Sequence, residues 1–288
     1  MQLSLILINH NTQAITKQTI ESILNTLKQV EYEIVVIDNS SDESKVINFS
    51  NEKVRIFKGI ENNGFGHACN IGAKKAKGEY LLFLNSDTIL NDCTVDEVFD
   101  YLKKHDDIGA IGVRQLLPDG TLDAGCKRGF PTPMSSIYYF SGISKRYPNS
   151  KRFGAYQQTF IDEHDIADVD CISGAFMMMS KEVFYFVGGF DEDFFMYSED
   201  VDFCYRLKKK GFRIVYYGKV SFTHLKGKSG IDDPFVLENF YKSMQIFYDK
   251  HYKDKYNFVV NWLVSLGIKT KYRFAKHALE KRLVQNSG

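Results

Sequence analysis

The chain has 288 residues, a formal net charge of +1 and an apolar fraction of 44%. This length suits one large α/β domain, or one domain with an appendage. The balance of 37 basic against 36 acidic residues gives no sign of nucleic-acid binding, so no nucleic-acid partner is expected. Five cysteines without paired spacing argue against a disulfide framework or a zinc site, and favour a reduced, cytoplasmic chain.

The amino-terminal apolar run reads as a strand and not as a signal peptide. Leu3–Ile8 has no basic segment before it and ends at Asn9. No apolar run elsewhere approaches the ~18 residues that a membrane-spanning helix needs. We therefore expect a chain that does not cross a membrane.

The first part of the chain alternates short β-rich runs with helical patterns, which predicts a parallel sheet built from βαβ units. Helices are predicted at Ala68–Ala76 and Val95–Lys103. The predicted strands after Leu3–Ile8 are Glu33–Ile37, Val54–Phe57, Tyr80–Leu84 and Ile108–Val113. The fold class indicated is α/β, with a Rossmann-like, mostly parallel central sheet flanked by helices.

Polar residues follow several of these strands directly. Asp38 and Asp87 come after two of them, and Asn63-Gly64 follows a third. Open α/β sheets bind ligands outside the carboxyl ends of their strands. We therefore expect these side chains to converge on one crevice.

The middle of the chain is less regular. Pro118–Thr121 predicts a hairpin turn, and residues 125–165 suggest a mobile loop or a lid. The small turn Ser173-Gly174-Ala175 precedes the triplet Met177–Met179, which is more typical of core than of a ligand site. Lys181–Val187 is predicted to be helical.

An acidic stretch then opens a further predicted helix. Ser198 is a candidate N-cap, Glu199 lies in the first turn, where a helix favours acids, and Asp202 is spaced to pair with Arg206. These roles leave Asp200 unexplained. A carboxylate in a partly apolar wall can serve as a general base, whereas the simpler alternative is a well-capped surface helix.

The last part of the chain is basic. From residue 250 onward nine Lys or Arg face two acids, which leaves a charge of +7. A basic helical segment with aromatic residues favours peripheral contact with the inner membrane leaflet. A solvated appendage or an oligomer contact, such as a homodimer interface, explains the pattern equally well.

Several motifs in order resemble glycosyltransferase family 2, and in particular its rhamnosyltransferase-type members of bacterial surface polysaccharide synthesis. They are Leu-Ile-Leu-Ile-Asn9, Val-Ile-Asp38-Asn39-Ser40, Asn62-Asn63-Gly64-Phe65-Gly66, Leu-Asn85-Ser86-Asp87, Gly188-Gly189-Phe190-Asp191-Glu192 and Glu199-Asp200-Val201-Asp202. The resemblance covers residues 1–230 and implies a GT-A domain, with a nucleotide-binding half at about 1–115 and an acceptor and catalytic half at about 116–230. Residues 231–288 are expected to form a helical, basic appendage.

The resemblance implies an inverting transfer of a sugar from a nucleotide-diphosphate donor. Deoxythymidine diphosphate-rhamnose is the first expectation for the donor, and a uridine diphosphate-hexose the second. The expected acceptor is a glycan or a polyprenyl-diphosphate-linked glycan at the cytoplasmic face of the membrane.

Donor-site roles also follow from the resemblance. Asp38 would bind the base, with the Asn9 loop beneath the nucleotide, and Asn63-Gly64-Phe65 would approach the diphosphate or ribose. Asn85-Ser86 would line the same site. Asp87, the second acid of the family's Asp-X-Asp motif, and His224 would hold Mg²⁺ or Mn²⁺. The first acid of that motif is Asn85 here, so weaker metal binding is expected.

On the acceptor side, the resemblance makes Asp200 the base that removes the acceptor hydroxyl proton. Gly174, Glu199, Asp202 and Arg206 are expected to support it or the acceptor. Two other classes stay open. A nucleotidyltransferase would need a glycine-rich basic phosphate loop near the amino terminus, which Asn9–Thr12 lacks, and a non-catalytic nucleotide-sugar binder would not need Asp200.

Overall fold

The structure, a computed structural model, describes residues 1–225 and 233–286, with side chains to residue 283. The strands are β1 Leu3–Asn9, β2 Tyr32–Asp38, β3 Val54–Phe57, β4 Tyr80–Leu84, β5 Thr88–Leu90, β6 Ile108–Leu116, β7 Lys127–Arg128, β8 Ile166–Asp168, β9 Cys171–Ile172, β10 Phe176–Ser180 and β11 Arg213–His224. The α-helices are α1 Gln13–Thr26, α2 Phe65–Lys75, α3 Thr94–Leu102, α4 Pro133–Phe140, α5 Ile143–Arg146, α6 Lys181–Val187, α7 Glu199–Lys209, α8 Pro234–His251 and α9 Phe258–Asn286.

The main sheet has the strand order β3-β2-β1-β4-β10-β6-β11-β5, and β8 pairs with β11. Strands β3, β2, β1 and β4 are parallel, as are β6 and β11, whereas β10 runs antiparallel between β4 and β6. Strands β7 and β9 form a separate antiparallel ribbon. The predicted α/β fold with a mostly parallel central sheet is confirmed.

Helices cover both faces of this sheet because its strands are apolar on both sides. Met177 and Met179 face one layer with α2, α6 and α7, whereas Met178 faces the other layer with α1 and α3. This alternation is the two-residue period of a strand. All three side chains have 0% exposure, so the predicted core role of the triplet is confirmed.

Helix α8 is part of the core. Phe247 and Tyr248 belong to the same buried cluster as Phe203 of α7, and α9 packs on α8 through Tyr272 and Tyr241, whose ring centroids are 5.6 Å apart. The expected domain boundary near residue 230 lies outside the described residues and stays a prediction. Across residues 1–225 and 233–286, no helix has the length and apolarity to cross a membrane.

Residues 125–165 contain ordered elements where the sequence suggested a mobile loop. Thr132 caps α4, its Oγ1 accepting from the Ser135 N–H (3.1 Å), and Pro133 lies in the first turn, where a missing N–H costs nothing. Arg152 then ties the following turns back to α4 by donating to the Tyr138 hydroxyl (3.1 Å). This segment therefore contains regular local structure, and its interpretation as a mobile loop or a lid stays a prediction.

The predicted hairpin turn after β6 is confirmed, with the Leu117 N–H bonded to the Thr121 carbonyl (2.8 Å) and Gly120 at φ 81°. Strand β6 runs past the predicted end at Val113 to Leu116. This extension carries Gln115 into the candidate site.

Candidate functional site

The carboxyl ends of β1 and β2 lie side by side and carry buried polar groups. Asn9 pairs with Asp38 in the strand register, and their exposures are 0% and 1%. The Asp38 carboxylate accepts from Asn9 Nδ2 (3.1 Å) and from the backbone N–H groups of Ser40 (3.0 Å) and Ile47 (2.6 Å). Both Asp38 oxygens thus fix the loop after β2, and contact of Asp38 with a nucleobase stays a prediction.

The Asn63-Gly64-Phe65 loop packs against the segment that leads into α7. Gly64 has φ 108°, and a Cβ there would lie 2.4 Å from the Phe195 carbonyl oxygen. The Phe65 N–H donates to that same oxygen (2.8 Å). Gly64 is therefore needed for a close approach within the protein itself, and an approach of this loop to a diphosphate or ribose stays a prediction.

A second polar cluster surrounds His224 at the end of β11. His224 Nε2 lies 3.0 Å from Asp87 Oδ1 and 3.4 Å from Asn85 Nδ2. On the other side of the ring, the Gln115 side-chain amide lies 2.7 Å from Nδ1. With that amide donating to Nδ1, Nε2 carries a proton and faces Asp87. A metal bound through Nε2 would instead need the ring proton on Nδ1 and the Gln115 side-chain oxygen turned to accept it.

Gln115 was missing from the sequence-based set because the predicted strand stopped before it. Its amide also donates to Asp123 Oδ2 (2.7 Å), so it is held on both sides. Ser86 contributes through its backbone, since its carbonyl accepts from Thr19 Oγ1 (2.8 Å). The loop between β4 and β5 is thus anchored to α1.

The Asp87–His224 pair suits a divalent cation that a ligand phosphate also binds. Its donor set is one carboxylate, one imidazole and the nearby Asn85 amide, and Mg²⁺ or Mn²⁺ accepts such oxygen and nitrogen ligands. No group of three His, Cys, Asp or Glu side chains arranged to hold a metal occurs in the described parts of the chain. A cation here would need phosphate oxygens to complete its coordination, and the metal site stays a prediction.

Asp200 lies in the first turn of α7 with its carboxylate held by three donors. Oδ2 accepts from Arg128 Nη2 (2.6 Å) and the Gly174 N–H (3.1 Å), and Oδ1 accepts from the Val201 N–H (2.8 Å). The two lone pairs of Oδ2 are thereby used, which leaves Oδ1 with one open acceptor position. Arg128 is the second residue missing from the sequence-based set, because it falls in the segment expected to be a loop.

Glu199, next to Asp200, is buried without a charge partner. It is 7% exposed, and its Oε2 has no hydrogen-bond partner. Burial, and then the charge of Asp200, raise the pKa of Glu199 to about 8. At neutral pH Glu199 is therefore protonated, whereas the Asp200 carboxylate forms an ion pair with Arg128.

Ser198 occupies the N-cap position of α7, as predicted, and its carbonyl accepts from the Asp202 N–H (2.8 Å). Ser198 adopts φ 64° and makes no side-chain cap bond, because its hydroxyl points to that of Ser243 in α8 (3.1 Å). This turn directs Glu199 inward. The Glu199 Cβ lies 3.7 Å from the position that a Cβ on Gly66 would occupy. Helix α7 thus begins in contact with α2 and α8, and not as a capped surface helix.

Asp202 and Arg206 hold α7 in place. The predicted pair is confirmed, with Arg206 Nε 2.7 Å from Asp202 Oδ2, and Arg206 also donates to the Val187 and Gly189 carbonyls (2.8 Å each). The other Asp202 oxygen lies 2.6 Å from His251 Nε2 of α8. All of these contacts are made within the protein, so they position the helix that carries Asp200.

Contacts link the separate clusters around one edge of the sheet. Asn39 in the loop after β2 bonds to Asn62 (3.2 Å), and the Asn62 loop reaches Phe195 before α7, as described above. Beyond α7, Gly174 binds Asp200, and the next residue, Ala175, accepts from the Asn85 N–H (3.1 Å). A series of contacts therefore runs from the Asp38 loop through Asp200 to the Asp87 loop, and the convergence of these side chains on one crevice stays a prediction.

The raised pKa of Glu199 makes stability depend on pH. Its carboxyl group is protonated in the folded chain up to about pH 8, whereas in the unfolded chain it ionises near its ordinary value of 4.5. The unfolded state therefore binds fewer protons between these values, and folding stability falls as pH rises, by up to about 1.4 kcal/mol per pH unit. We expect Glu199→Gln to remove this slope in denaturant titrations from pH 5 to 9.

The control variant for this titration is Glu182→Gln, which changes an exposed glutamate at the start of α6. It should keep the slope of the unsubstituted chain. Parallel stability curves for Glu199→Gln and the unsubstituted chain would contradict the assignment of a protonated Glu199.

Comparison with known proteins identifies the family. The profile described as Glycosyl transferase family 2 matches residues 4–186, and that of Glycosyl transferase family group 2 matches residues 149–273. The chain is 25% identical over 251 residues to the low-salt glycan biosynthesis hexosyltransferase Agl10 of Haloferax volcanii, covering 86% of this chain and 72% of that protein. It is 31% identical over 181 residues to the rhamnosyltransferase WbbL of Escherichia coli, covering 58% and 63%.

A third relative is the N-acetylglucosaminyl-diphospho-decaprenol L-rhamnosyltransferase of Mycobacterium tuberculosis, 29% identical over 60% of this chain and 56% of its own length. The fold resembles that of GalNAc-T7 crystallised with UDP, GalNAc and Mn²⁺ (TM-score 0.57, 18% identity, 88% of this chain and 49% of that one). It also resembles Staphylococcus aureus TarS 1–349 (TM-score 0.54, 16% identity, 85% and 64%). The profile match spans more than half of the chain and includes the donor-side motifs. The chain therefore belongs to glycosyl transferase family 2.

Proposed function

We propose that this protein is an inverting glycosyltransferase that moves a sugar from a nucleotide-diphosphate donor to a glycan or polyprenyl-diphosphate-linked glycan at the cytoplasmic face of a membrane. Two of the relatives are named rhamnosyltransferases, which supports deoxythymidine diphosphate-rhamnose as the first donor to test. Agl10 is named a hexosyltransferase, which supports a uridine diphosphate-hexose as the second. The decaprenol-linked acceptor in one relative's name supports a lipid-linked acceptor.

On the donor side, the loops after β1, β2 and β4 would hold the nucleotide. Asp38 would bind the base, with the Asn9 loop beneath the nucleotide. The Asn63–Phe65 loop would approach the ribose or diphosphate, and Asn85 and Ser86 would line the same site. Asp87 and His224 would bind Mg²⁺ or Mn²⁺. A divalent cation there neutralises charge on the diphosphate leaving group as the glycosidic bond breaks.

On the acceptor side, Asp200 would act as the general base. Its Oδ1 takes the proton of the acceptor hydroxyl while that oxygen bonds to the anomeric carbon, and the bond from this carbon to the diphosphate oxygen breaks with its electron pair. Attack on the face opposite the leaving group inverts the anomeric configuration. The observation that carries this proposal is the pairing of the Asp200 carboxylate with Arg128 and the Gly174 N–H, which leaves Oδ1 with one free acceptor position beside Glu199, whose pKa burial raises to about 8.

The role of Asp200 is tested by Asp200→Asn, which keeps the shape of the side chain and removes its basicity. We expect kcat for hydrolysis of the nucleotide sugar to fall by roughly 10²–10⁴, while affinity for the corresponding nucleoside diphosphate is unchanged. The donor is first found by a hydrolysis screen of deoxythymidine diphosphate-rhamnose and uridine diphosphate-hexoses, because slow transfer to water reports the donor without a known acceptor. Survival of the reaction at near full rate would exclude Asp200 as the base.

The role of Arg128 is tested by a double-mutant cycle with Asp200. If Arg128 acts by orienting Asp200, Arg128→Gln should lower kcat in the unsubstituted chain and change little in the Asp200→Asn background. Arg128→Lys should retain part of the activity, because a lysine keeps the charge but not the planar geometry of the guanidinium. An equal loss in both backgrounds would mean that Arg128 binds substrate directly.

The matched control for Arg128 is Arg152→Gln, a change in the same segment. Arg152 contacts Tyr138 and Phe153 and has no recorded contact with the α7 carboxylates. This variant should keep the coupling between Arg128 and Asp200 intact.

The metal assignment is tested by titration calorimetry with the nucleoside diphosphate of the donor found in the hydrolysis screen, with and without Mn²⁺. We expect Mn²⁺ to strengthen binding of that nucleoside diphosphate to the unsubstituted chain, and Asp87→Ala to abolish that gain because the single carboxylate of the donor set is lost. Asp92→Ala, which removes an exposed acid just after β5, should keep it. An undiminished Mn²⁺ effect in Asp87→Ala would place the metal elsewhere.

A further inference from the structure

Helix α9 carries apolar side chains on two faces. One face packs on α8, with Leu279 5% exposed and the Tyr272 ring against Tyr241. The other carries Trp262, Leu263 and Leu266, which are 54%, 53% and 44% exposed. A group of neighbouring apolar side chains exposed on one face of a helix marks a candidate contact surface.

The same outward face becomes basic two turns further along. Lys269 and Arg273 lie seven residues after Trp262 and Leu266 respectively, which places each on the same side of the helix. Across Phe258–Asn286 there are six basic residues against one acid, Glu280. A partner of this face must therefore accept both apolar side chains and positive charge.

A second exposed apolar face adjoins α9. On α4, Met134, Ile137 and Phe140 are 51%, 55% and 51% exposed and share one side of the helix. Lys271 of α9 places its Nζ 3.7 Å from the centroid of the Phe140 ring, which joins the two helices. We call the outward residues Met134, Ile137, Phe140, Trp262, Leu263 and Leu266, with the basic residues beside them, the α4–α9 surface.

The α4–α9 surface is close in the chain to the acceptor side of the site. Helix α4 begins at Pro133, five residues after Arg128, which pairs with Asp200. The link is short and fixed, since the Ser135 hydroxyl donates to the Phe130 carbonyl (3.0 Å) and the Phe130 ring contacts Tyr205 of α7 (4.9 Å). The α4 part of this surface is therefore tied to the segment that holds Asp200.

We propose that the α4–α9 surface binds an anionic phospholipid bilayer. The apolar side chains would enter the boundary between headgroups and acyl chains, and the basic residues would meet anionic headgroups. A second copy of the chain matches this surface less well, because it would bring two basic rows together. The proposal rests on the proposed function in one respect: a bound membrane would present a lipid-carried acceptor to the site.

The single tryptophan of the chain reports directly on this surface. Because Trp262 is the only tryptophan, the tryptophan emission of the protein comes from the outward face of α9. We expect that emission to shift to the blue with vesicles of phosphatidylglycerol and phosphatidylcholine in equal parts, and not with phosphatidylcholine alone. High salt should weaken binding, because charge attraction to anionic lipid is screened.

Substitutions on each helix test the joint surface. Leu266→Glu on α9 and Ile137→Glu on α4 should each weaken vesicle co-sedimentation by about tenfold, because each puts an acid where apolar contact is needed. Phe186→Glu is the control, since Phe186 is 61% exposed on α6, outside the surface. Full binding by Ile137→Glu, or an equal loss in the control, would overturn the proposal.

Two results would contradict membrane binding outright. One is a tryptophan emission that does not change with anionic vesicles. The other is a blue shift that depends on protein concentration without vesicles, which would make the partner a second copy of the chain. The assay uses the full chain and no donor, so an enzyme that binds vesicles but lacks sugar transfer would refute only the proposed function.

Discussion

Ionising both of the adjacent carboxyl groups at the start of α7 has a high free-energy cost where water is excluded. The two carboxyl groups differ in their hydrogen-bond partners. Asp200 accepts from Arg128 and the Gly174 N–H, whereas Glu199 has a buried oxygen with no partner. Burial and the neighbouring charge then raise the pKa of Glu199 to about 8. Pairs of titratable groups whose environments separate their pKa values are a recurring basis for assigning acid and base roles.

Contacts from the rest of the fold hold α7 in the position in which Asp200 is paired and Glu199 is not. Asp202 is fully buried between Arg206 and His251, so the α7 turn that follows the carboxyl pair is tied to α8. Removing one partner from such a buried cluster is costly, because an unpaired charge is left behind. The carboxyl-terminal helices therefore contribute to the position of the site as well as carrying the α4–α9 surface.

Much of this architecture follows from local sequence patterns. The apolar strands, the hairpin turn at Pro118–Thr121 and the Asp202–Arg206 pair depend on short-range periodicity and spacing, which the sequence displays. The polar residues after β1, β2 and β4 follow from the geometry of parallel sheets, although the roles assigned to them still await a ligand.

The site residues and contacts that the sequence did not predict share one physical cause. They depend on contacts between residues that are far apart in the chain. Arg128 meets Asp200 across 72 residues and Gln115 meets His224 across 109, and no local pattern encodes either pairing. Ser198 is the N-cap residue that its type predicts, but its hydroxyl bonds to that of Ser243 in α8 and does not cap the helix. The order in residues 125–165 likewise comes from packing against α7 and from the Arg152 contact, and not from periodicity.

The most direct measurement is a crystal structure of the protein with Mn²⁺ and an unreactive analogue of the nucleotide sugar selected by hydrolysis. The account predicts the diphosphate beside Asp87 and His224, and Asp200 Oδ1 about 2.6–3.2 Å from a water or hydroxyl on the opposite face of the anomeric carbon. A diphosphate bound away from Asp87, or an anomeric carbon whose open face is turned away from Asp200, would contradict it.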